Sequence, residues 1–337
     1  MPKLSNSVTD ISGILVGHAQ NLDALTGCTV IIYKNGAVGG VDQRGGAPGT
    51  RETDLLRPMH LVEKIHAVVL AGGSAFGLDA ASGVMRYLEE KKIGFNAGIV
   101  KVPIVPSAIL FDLALGRSDV RPDAAMGYQA CLNASSQTPE QGNIGAGIGA
   151  SIGKIFGMRQ AMKSGIGTSS IDLGGGLLVA AIVAVNAFGD IVQTHTNVII
   201  AGARSLQKGP IVLGTKNIFA NTMEIMKSLI GKTVLNFATK ANTTIGVVVT
   251  NANLNKEEAN KVAQMAQNGV AFSIRPAHTM LDGDTIFVMA TGKHKADVSL
   301  IGAYAAEVVA QSIINAVMAA RPIGGLPSVN SLSSRNK

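Results

Sequence analysis

A run of apolar, mostly β-branched residues constrains the fold most, because it indicates a buried strand that begins well inside the chain. The run is Ile245-Gly246-Val247-Val248-Val249, and the polar residues Asn242-Thr243-Thr244 come directly before it. β-Branched side chains favour the extended conformation, and a continuous apolar run of this length is typical of a buried strand. The sequence therefore predicts a strand over Ile245–Thr250 with an Asn-Thr pair at its start.

The Asn242-Thr243 pair carries a specific chemical possibility. A threonine hydroxyl is a weak nucleophile unless a base lies beside it, and the α-amino group of the same threonine can be that base. This amine is free only if the chain is cut before Thr243. The hydroxyl can itself attack the preceding carbonyl and shift the acyl group from nitrogen to oxygen, after which water hydrolyses the ester. The pair thus predicts a self-cleaving amide hydrolase, split into residues 1–242 and 243–337.

A simpler interpretation of the same residues is structural. Thr is common at strand starts, Asn is common in the turn before a strand, and short motifs often match by chance. Asn242-Thr243-Thr244 also fits the N-glycosylation acceptor pattern, which matters only in a secreted eukaryotic protein. On these residues alone, all of these interpretations stay open.

The rest of the chain alternates short apolar runs with helical segments, which indicates an α/β protein. Strands are predicted over Ala67–Ala71, Leu177–Asn186, Ile245–Thr250 and Thr285–Ala290, with Ile191–Thr194 as the return partner of the second. Helices are predicted from about Ala75 to Glu90 and from the N-cap Asn255, with Glu258 completing a capping box, to Gly269. Residues 1–337 are predicted to form a single catalytic domain.

Two segments differ from this pattern. Residues 201–241 carry six basic residues against one acid, Glu224, and are predicted to be a mobile surface connection that leads to the scission point. Residues 321–337 are rich in Gly, Ser, Pro and Asn and are predicted to be a loosely ordered tail. Both segments are therefore placed outside the core.

Charge and hydropathy argue against nucleic-acid and membrane partners. The net charge is +7, but Lys and Arg are scattered and no aromatic residues interleave with them. The most apolar long segment, Val298–Met318, carries Glu307, Gln311 and Asn315 at four-residue spacing. Those three side chains share one helix face, which predicts an amphipathic core helix rather than a membrane span.

The two cysteines and the first residues bear on the compartment. Cys28 and Cys131 lie in apolar surroundings, and two buried reduced thiols are typical of an intracellular enzyme. Residues 1–6 lack the apolar segment of a secretory signal. The sequence predicts a cytoplasmic location.

Several segments together resemble one family, the DmpA-like aminopeptidases, which includes L-aminopeptidase/D-esterases, β-peptidyl aminopeptidases and nylon-oligomer endo-hydrolases. They occur in family order from about residue 8 to 325. The segments are Gly13–His18, Gly40–Glu52, Leu70–Ala81, Val102–Pro106, Gly142–Gly147, Val185–Ala187, Asn242–Thr244 and Arg275–Thr285. The Asn-Thr junction is similar to that of the nylon-oligomer hydrolases.

The resemblance implies an αββα sandwich that is similar to N-terminal-nucleophile hydrolases. It also implies a precursor that cuts itself into two pieces and assembles as a homo-oligomer, often a tetramer of cleaved heterodimers. A small peptide or amide is the implied substrate, and no cofactor or metal is implied. The choice between α-peptide, β-peptide, D-amino acid derivative and nylon-type oligomer stays open, because pocket walls are not legible from one sequence.

Five residues receive catalytic roles from the chemistry and the resemblance together. Thr243 supplies the nucleophilic hydroxyl and, once freed, the basic amine. Asn186 would donate a hydrogen bond to the oxyanion. Of Asp282 and Asp284, one would orient the Thr243 hydroxyl or amine and the other would hold its partner. The Lys163 ammonium would lower the pKa of the amine.

Each role has a structural alternative. Asn186 could bond its own backbone in a turn, and Lys163 could be a solvated surface charge. Asp282 and Asp284 flank Gly283, so they could form a plain turn or contribute to a metal site. No cluster of His or Cys in the sequence completes a ligand set for a metal.

Two rival functions also stay open. A serine hydrolase would use Ser74 with His278 as its base, although Gly72–Gly77 has the spacing G-x-S-x-x-G rather than G-x-S-x-G. A non-catalytic relative would bind a small amine or only assemble. Tyr128 is a further site candidate, because the resemblance places it near the site in some relatives.

Overall fold

A computed structural model describes residues 4–208, 211–213, 218–228 and 242–333. Strands are numbered in chain order: β1 (Ile14–Asn21), β2 (Thr26–Gln43), β3 (Thr50–Arg51), β4 (Lys64–Ala71), β5 (Phe95–Asn96), β6 (Lys101–Val102), β7 (Ser107–Ile109), β8 (Ser151–Ile152), β9 (Met162–Lys163), β10 (Ile166–Asp172), β11 (Leu178–Asn186), β12 (Asp190–Val192), β13 (Ile199–Ala201), β14 (Leu206–Lys208), β15 (Ile211–Leu213), β16 (Thr243–Ala252), β17 (Ile274–Arg275) and β18 (Thr285–His294).

The helices alternate with these strands. The α-helices are α1 (Ala80–Glu90), α2 (Ala124–Leu132), α3 (Thr222–Lys227), α4 (Lys256–Ser273), α5 (Val298–Ala319) and α6 (Val329–Ser333). Short 3-10 helices cover Val8–Asp10, Asp54–Leu56, Ser74–Asp79, Gly145–Gly147 and Met158–Gln160. The predicted capping box of α4 is present, since the Asn255 and Glu258 side chains accept from each other's backbone N–H groups.

One mixed sheet organises the chain. Its strands lie in the order β10-β11-β16-β18-β2-β4-β7-β3, and β1 pairs with the first part of β2. β16 and β18 run parallel, as do β4 and β7, whereas the other neighbours are antiparallel. β16 therefore lies between β11 and β18, inside the sheet.

Side-chain alternation buries both faces of the sheet, because successive strand residues point to opposite sides. Val247 and Val249 of β16 belong to an inner core, and Val248 belongs to an outer one. The inner core also contains Ile31 of β2 and Leu70 of β4. The two halves of the sheet thus pack face to face.

Two pairs of helices cover the outer faces. Val262 of α4 and Ile313 of α5 share a core with Val248. Val84 of α1 and Cys131 of α2 share another core with strands β2 and β4. The layers are helix pair, half-sheet, half-sheet and helix pair, so the predicted αββα sandwich is confirmed.

Two local predictions were wrong. β12 does not return beside β11; it pairs with β13 and β17, because β16 and β10 already occupy both edges of β11. Helix α4 does not end at Gly269 but continues to Ser273. Gly269 lies where α4 meets α5, and a Cβ there would be 2.2 Å from the carbonyl oxygen of Ala306. This glycine serves close helix packing rather than helix termination.

The segments predicted to lie outside the core contain several elements. Within 201–241, β14 pairs with β15, and α3 follows an Asn221 N-cap; residues 209–210, 214–217 and 229–241 lie outside the described residues. Within 321–337, the described part ends in α6, and the Pro327 carbonyl accepts from the Lys163 backbone N–H at 2.8 Å. The predicted mobility of both segments stays a prediction.

Helix α5 is long and apolar enough to cross a membrane by length and composition, the only such helix in the described residues. In this fold it packs on β10 and β11, with two thirds of its most apolar window (67%) buried. Asn315 donates to the Thr168 carbonyl at 2.8 Å, and Glu307 and Gln311 are exposed. The stripe of polar residues therefore lies along the side of α5 that faces solvent and the edge of β10.

Lys256, at the start of α4, is expected to stabilise the loop before β4. Its ammonium donates to the carbonyls of Leu55, His60 and Val62 at 2.8–3.1 Å. Substituting Lys256→Met should lower the free energy of unfolding by about 1–3 kcal/mol, because three partly buried carbonyls lose their shared charged donor. Urea denaturation measures this, with Lys261→Met, an exposed lysine of the same helix, as the control. Equal stability of the two variants would contradict the expectation.

Candidate active site

Strand pairing brings Asn186 and Thr243 together. β11 ends at Asn186, β16 begins at Thr243, and the antiparallel register makes these two residues direct partners. Directly opposed residues of an antiparallel pair project to the same face. Both side chains are buried, with exposed fractions of 0% and 3%. The nucleophile candidate and the oxyanion candidate thus share one site.

The peptide bond before Thr243 is held by the loop that precedes β18. The Thr243 hydroxyl donates a hydrogen bond to the carbonyl oxygen of Asn242. The same oxygen accepts from the Gly283 N–H at 2.9 Å, and the Asn242 N–H donates to the Leu281 carbonyl at 3.3 Å. The hydroxyl therefore lies against the carbonyl that self-cleavage would attack.

Asp284 lies beside the start of β16. Its Oδ1 accepts from the Thr244 N–H at 2.7 Å, and its Oδ2 accepts from the His278 N–H at 3.1 Å and bonds His278 Nδ1 at 2.9 Å. Burial lowers the pKa of His278, but the hydrogen bond and charge of Asp284 outweigh it, so the pKa is raised. This pairing fixes the carboxylate next to Thr244, which follows the nucleophile candidate.

Asp282 is the second buried acid of this loop. Burial raises its pKa, and the nearby charge of Asp284 raises it further. Its Oδ2 accepts from the Thr279 hydroxyl at 2.6 Å and from the Thr279 N–H at 3.0 Å, and its Oδ1 accepts from the Phe188 N–H at 3.4 Å. The Asp282 side chain thus joins the loop before β18 to the turn after Asn186.

The hydrogen-bond donors around Asp282 and Asp284 do not favour a metal site at these two acids. Every carboxylate oxygen of Asp282 and Asp284 accepts at least one N–H or O–H bond. In the part of the chain that the structure describes, no three His, Cys, Asp or Glu side chains gather at metal-binding distance. The two acids therefore organise the loop through hydrogen bonds.

A lysine that the sequence analysis missed contacts Asn186. The Lys154 ammonium donates to the Asn186 side-chain oxygen at 2.7 Å and to its backbone carbonyl at 3.0 Å. Burial lowers the pKa of Lys154 to about 7, against the opposing charges of Asp282 and Asp112. Its sequence signal is a lone charge in the apolar segment Ile152–Phe156. A single lysine in such a run indicates a buried cation with a dedicated partner.

Lys163 is also buried, but it contacts a different part of the chain from Lys154. Its ammonium is fully buried and donates to the carbonyls of Gly147, Ala150 and Ser164 at 2.5–3.0 Å. Burial lowers its pKa to about 7 as well. Lys163 is therefore not a solvated surface charge, and its described hydrogen bonds go to backbone carbonyls rather than to Thr243.

The Asn186 side chain is held on both sides. Its Nδ2 donates to the Phe111 carbonyl at 2.9 Å, and its oxygen also accepts from the Ser151 N–H at 3.1 Å. It is thus anchored by the Phe111 carbonyl, the Ser151 N–H and the Lys154 ammonium. A narrow crevice lies beside it, lined by Phe111, Asp112, Ala114, Leu115, Gly149, Ser151, Lys154 and Met158.

Ser74 and Tyr128 lie apart from this cluster. Ser74 begins the 3-10 helix after β4, and the two ring nitrogens of its suggested base, His278, bond Asp284 and the Gln267 carbonyl. The Tyr128 hydroxyl donates to the Glu90 carboxylate at 2.7 Å, between α2 and α1. Among the described contacts, neither residue touches Thr243 or Asn186.

The sandwich and the cluster together define the class of protein. A buried threonine starts a central strand and faces an asparagine on the next strand, Lys154 contacts that asparagine, and Asp284 contacts Thr244. The αββα sandwich itself is the N-terminal-nucleophile-hydrolase-like fold of the DmpA type.

Comparison with known proteins identifies the family. The sequence profile of Peptidase family S58 matches residues 6–329, and the chain belongs to this family. An uncharacterized aminopeptidase of Mycobacterium leprae is 41% identical, over 96% of this chain and 93% of its own. A 6-aminohexanoate-oligomer endohydrolase of Kocuria is 30% identical, over 91% of this chain and 84% of its own.

Solved structures agree with this fold. The L-aminopeptidase D-Ala-esterase/amidase of Ochrobactrum anthropi, a variant of the Ntn-hydrolase fold, superposes with a TM-score of 0.71 at 18% identity, covering 96% of this chain and 88% of its own. A β-aminopeptidase of Burkholderia gives 0.69 at 20% identity, over 100% and 94%. The protein is accordingly a hydrolase that acts on amide bonds.

The His278–Asp284 pair predicts a pH-dependent stability. Because the folded pKa of His278 is raised, its contribution is fully present below the unfolded value of about 6.5 and is lost as the pH rises through the folded pKa. The His278→Gln variant should therefore lose more unfolding free energy at pH 5.5 than at pH 8.5. Urea denaturation at both pH values measures the difference, and His60→Gln, an exposed histidine, should show none.

Proposed function

We propose that this protein is an autoprocessing amide hydrolase whose nucleophile is Thr243, freed by cleavage after Asn242. The observation that carries the proposal is the hydrogen bond from the Thr243 hydroxyl to the Asn242 carbonyl. This contact brings the attacking oxygen to the peptide group that must be cut. Family membership supports amide-bond chemistry.

Self-cleavage proceeds in two steps. The Thr243 Oγ forms a bond to the Asn242 carbonyl carbon, the carbon–nitrogen bond breaks, and the hydroxyl proton ends on the threonine nitrogen. Water then hydrolyses the resulting ester, which leaves a carboxylate on Asn242 and restores the hydroxyl. The new α-amino group has an ordinary pKa of about 7.7–8.0, so it can act as a base near neutral pH.

Amide hydrolysis then uses the same oxygen. Thr243 attacks the substrate carbonyl while its amine accepts the hydroxyl proton and passes it to the leaving amine. Asn186 lies directly opposite and is a candidate donor to the oxyanion, held in place by Lys154. Water hydrolyses the acyl-Thr243 ester and releases the acid product.

Short peptides with a free amino terminus are the proposed substrates. The relative with the greater identity of the two, 41%, is named an aminopeptidase, and the 30% identical one is named an endohydrolase of 6-aminohexanoate oligomers. We propose aminopeptidase activity first and amide-oligomer hydrolysis second. A homo-oligomer of cleaved units in the cytoplasm completes the proposal.

The direct test is the state of the purified polypeptide. A denaturing gel should show two bands that sum to the full chain, and N-terminal sequencing of the small band should begin Thr-Thr-Ile-Gly-Val. A panel of aminoacyl and oligomer p-nitroanilides then ranks the substrates. A fully active preparation that stays a single band would overturn the proposal and favour the Ser74 alternative, whereas an inactive single band would favour a binding protein.

A further inference from the structure

The backbone of the loop before β18 runs beside the proposed scissile bond. Asn242 and Asp282 form a parallel bridge, in which Asn242 donates to the Leu281 carbonyl and accepts from the Gly283 N–H. Asn242 is thus held by both its N–H and its C=O. These two contacts are made by main chain only, so they do not depend on a flexible side chain.

Gly283 lies in a place where no side chain fits. A Cβ at this position would be 2.9 Å from the Thr243 hydroxyl oxygen and 2.5 Å from the Ala47 carbonyl oxygen. The neighbouring segment fixes the loop, because Ala47 N–H donates to the Asp282 carbonyl at 2.8 Å and Arg44 N–H to the Asp284 carbonyl at 3.0 Å. The Gly283 N–H is therefore preorganised beside the reacting atoms.

We propose that the Gly283 N–H stabilises the oxyanion that forms on the Asn242 oxygen in self-cleavage. The inference rests on the proposed function. In self-cleavage, negative charge develops on the Asn242 oxygen, which already accepts the Gly283 N–H at 2.9 Å. This distance lies in the range of an effective oxyanion donor.

The experiment removes the Gly283 N–H as a hydrogen-bond donor and leaves the shape of the residue almost unchanged. Glycolic acid incorporated in place of Gly283 converts the peptide N–H to an ester oxygen in the full chain. Self-cleavage should slow by about 10²–10³-fold. The matched control is the same replacement at Gly292, an exposed glycine of β18.

The outcomes separate this inference from the proposed function. If wild type and the Gly292 control split but the Gly283 ester splits equally fast, the oxyanion role is wrong and the proposed function stands. If wild type does not split at all, both fail. Gly283→Ala adds a steric test, and it should block cleavage while circular dichroism shows a folded protein. Rapid cleavage in this folded variant would contradict the required close approach.

Discussion

Replacing Thr243 by alanine is expected to leave the polypeptide as a single band and to abolish amide hydrolysis, with kcat/KM falling by about 10⁴-fold or more. The variant lacks both the attacking oxygen and, because no cleavage occurs, the free amine. The fold should survive, since the removed atoms leave a small buried space at the start of β16. Gel electrophoresis and a p-nitroanilide assay measure the two losses.

Two further variants control this result. Thr243→Ser keeps a hydroxyl in the same position and should still cleave and hydrolyse, because only a methyl group is lost. Ser74→Ala should behave as wild type, since Ser74 has no described contact with the site. An active Thr243→Ala protein, or loss of activity confined to Ser74→Ala, would transfer the nucleophile role away from Thr243.

The second large effect is expected at Lys154. Lys154→Met keeps the apolar stem but removes the ammonium that donates to both Asn186 oxygens. Asn186 then loses its anchor opposite Thr243, and we expect kcat/KM to fall by about 10²–10³-fold, the usual cost of disturbing an oxyanion donor. Kinetics on the cleaved fraction, with a cleavage time course, measure this loss.

Lys163→Met is the matched control, because Lys163 is equally buried. It should cost about 2–4 kcal/mol of unfolding free energy, since the carbonyls of Gly147, Ala150 and Ser164 lose their donor. The kcat of its folded, cleaved fraction should stay close to wild type. If Lys163→Met instead lost kcat and Lys154→Met did not, the sequence-based role of Lys163 near the amine would be the better one.

The strands around the site were predictable because their signals are local. The apolar run after Thr243 and the long run that ends at Asn186 form adjacent strands, β16 and β11. Asp282 and Asp284 precede β18, which pairs in parallel with β16, so both acids lie at the start of β16. Polar residues at the ends of buried strands therefore located most of the cluster.

Connections between elements were less predictable. Ile191–Thr194 was expected to pair with Leu177–Asn186. However, β10 and β16 occupy both edges of that strand, and β16 lies far along the chain, so a local pattern does not reveal the pairing. Gly269 was expected to end a helix, whereas it permits two helices to approach. Both errors arise because a turn or a glycine has several local explanations, and only the neighbouring chain selects one.

The sequence by itself determined the buried strand with a polar start, the α/β pattern and the pair of acids, because each depends on residues that are adjacent in the chain. Only the tertiary structure decided which lysine contacts Asn186. Lys154 and Lys163 both lie in apolar, glycine-containing segments, and their patterns are alike. Their different partners arise from the way β8 and β9 pack against β11, which no local pattern encodes.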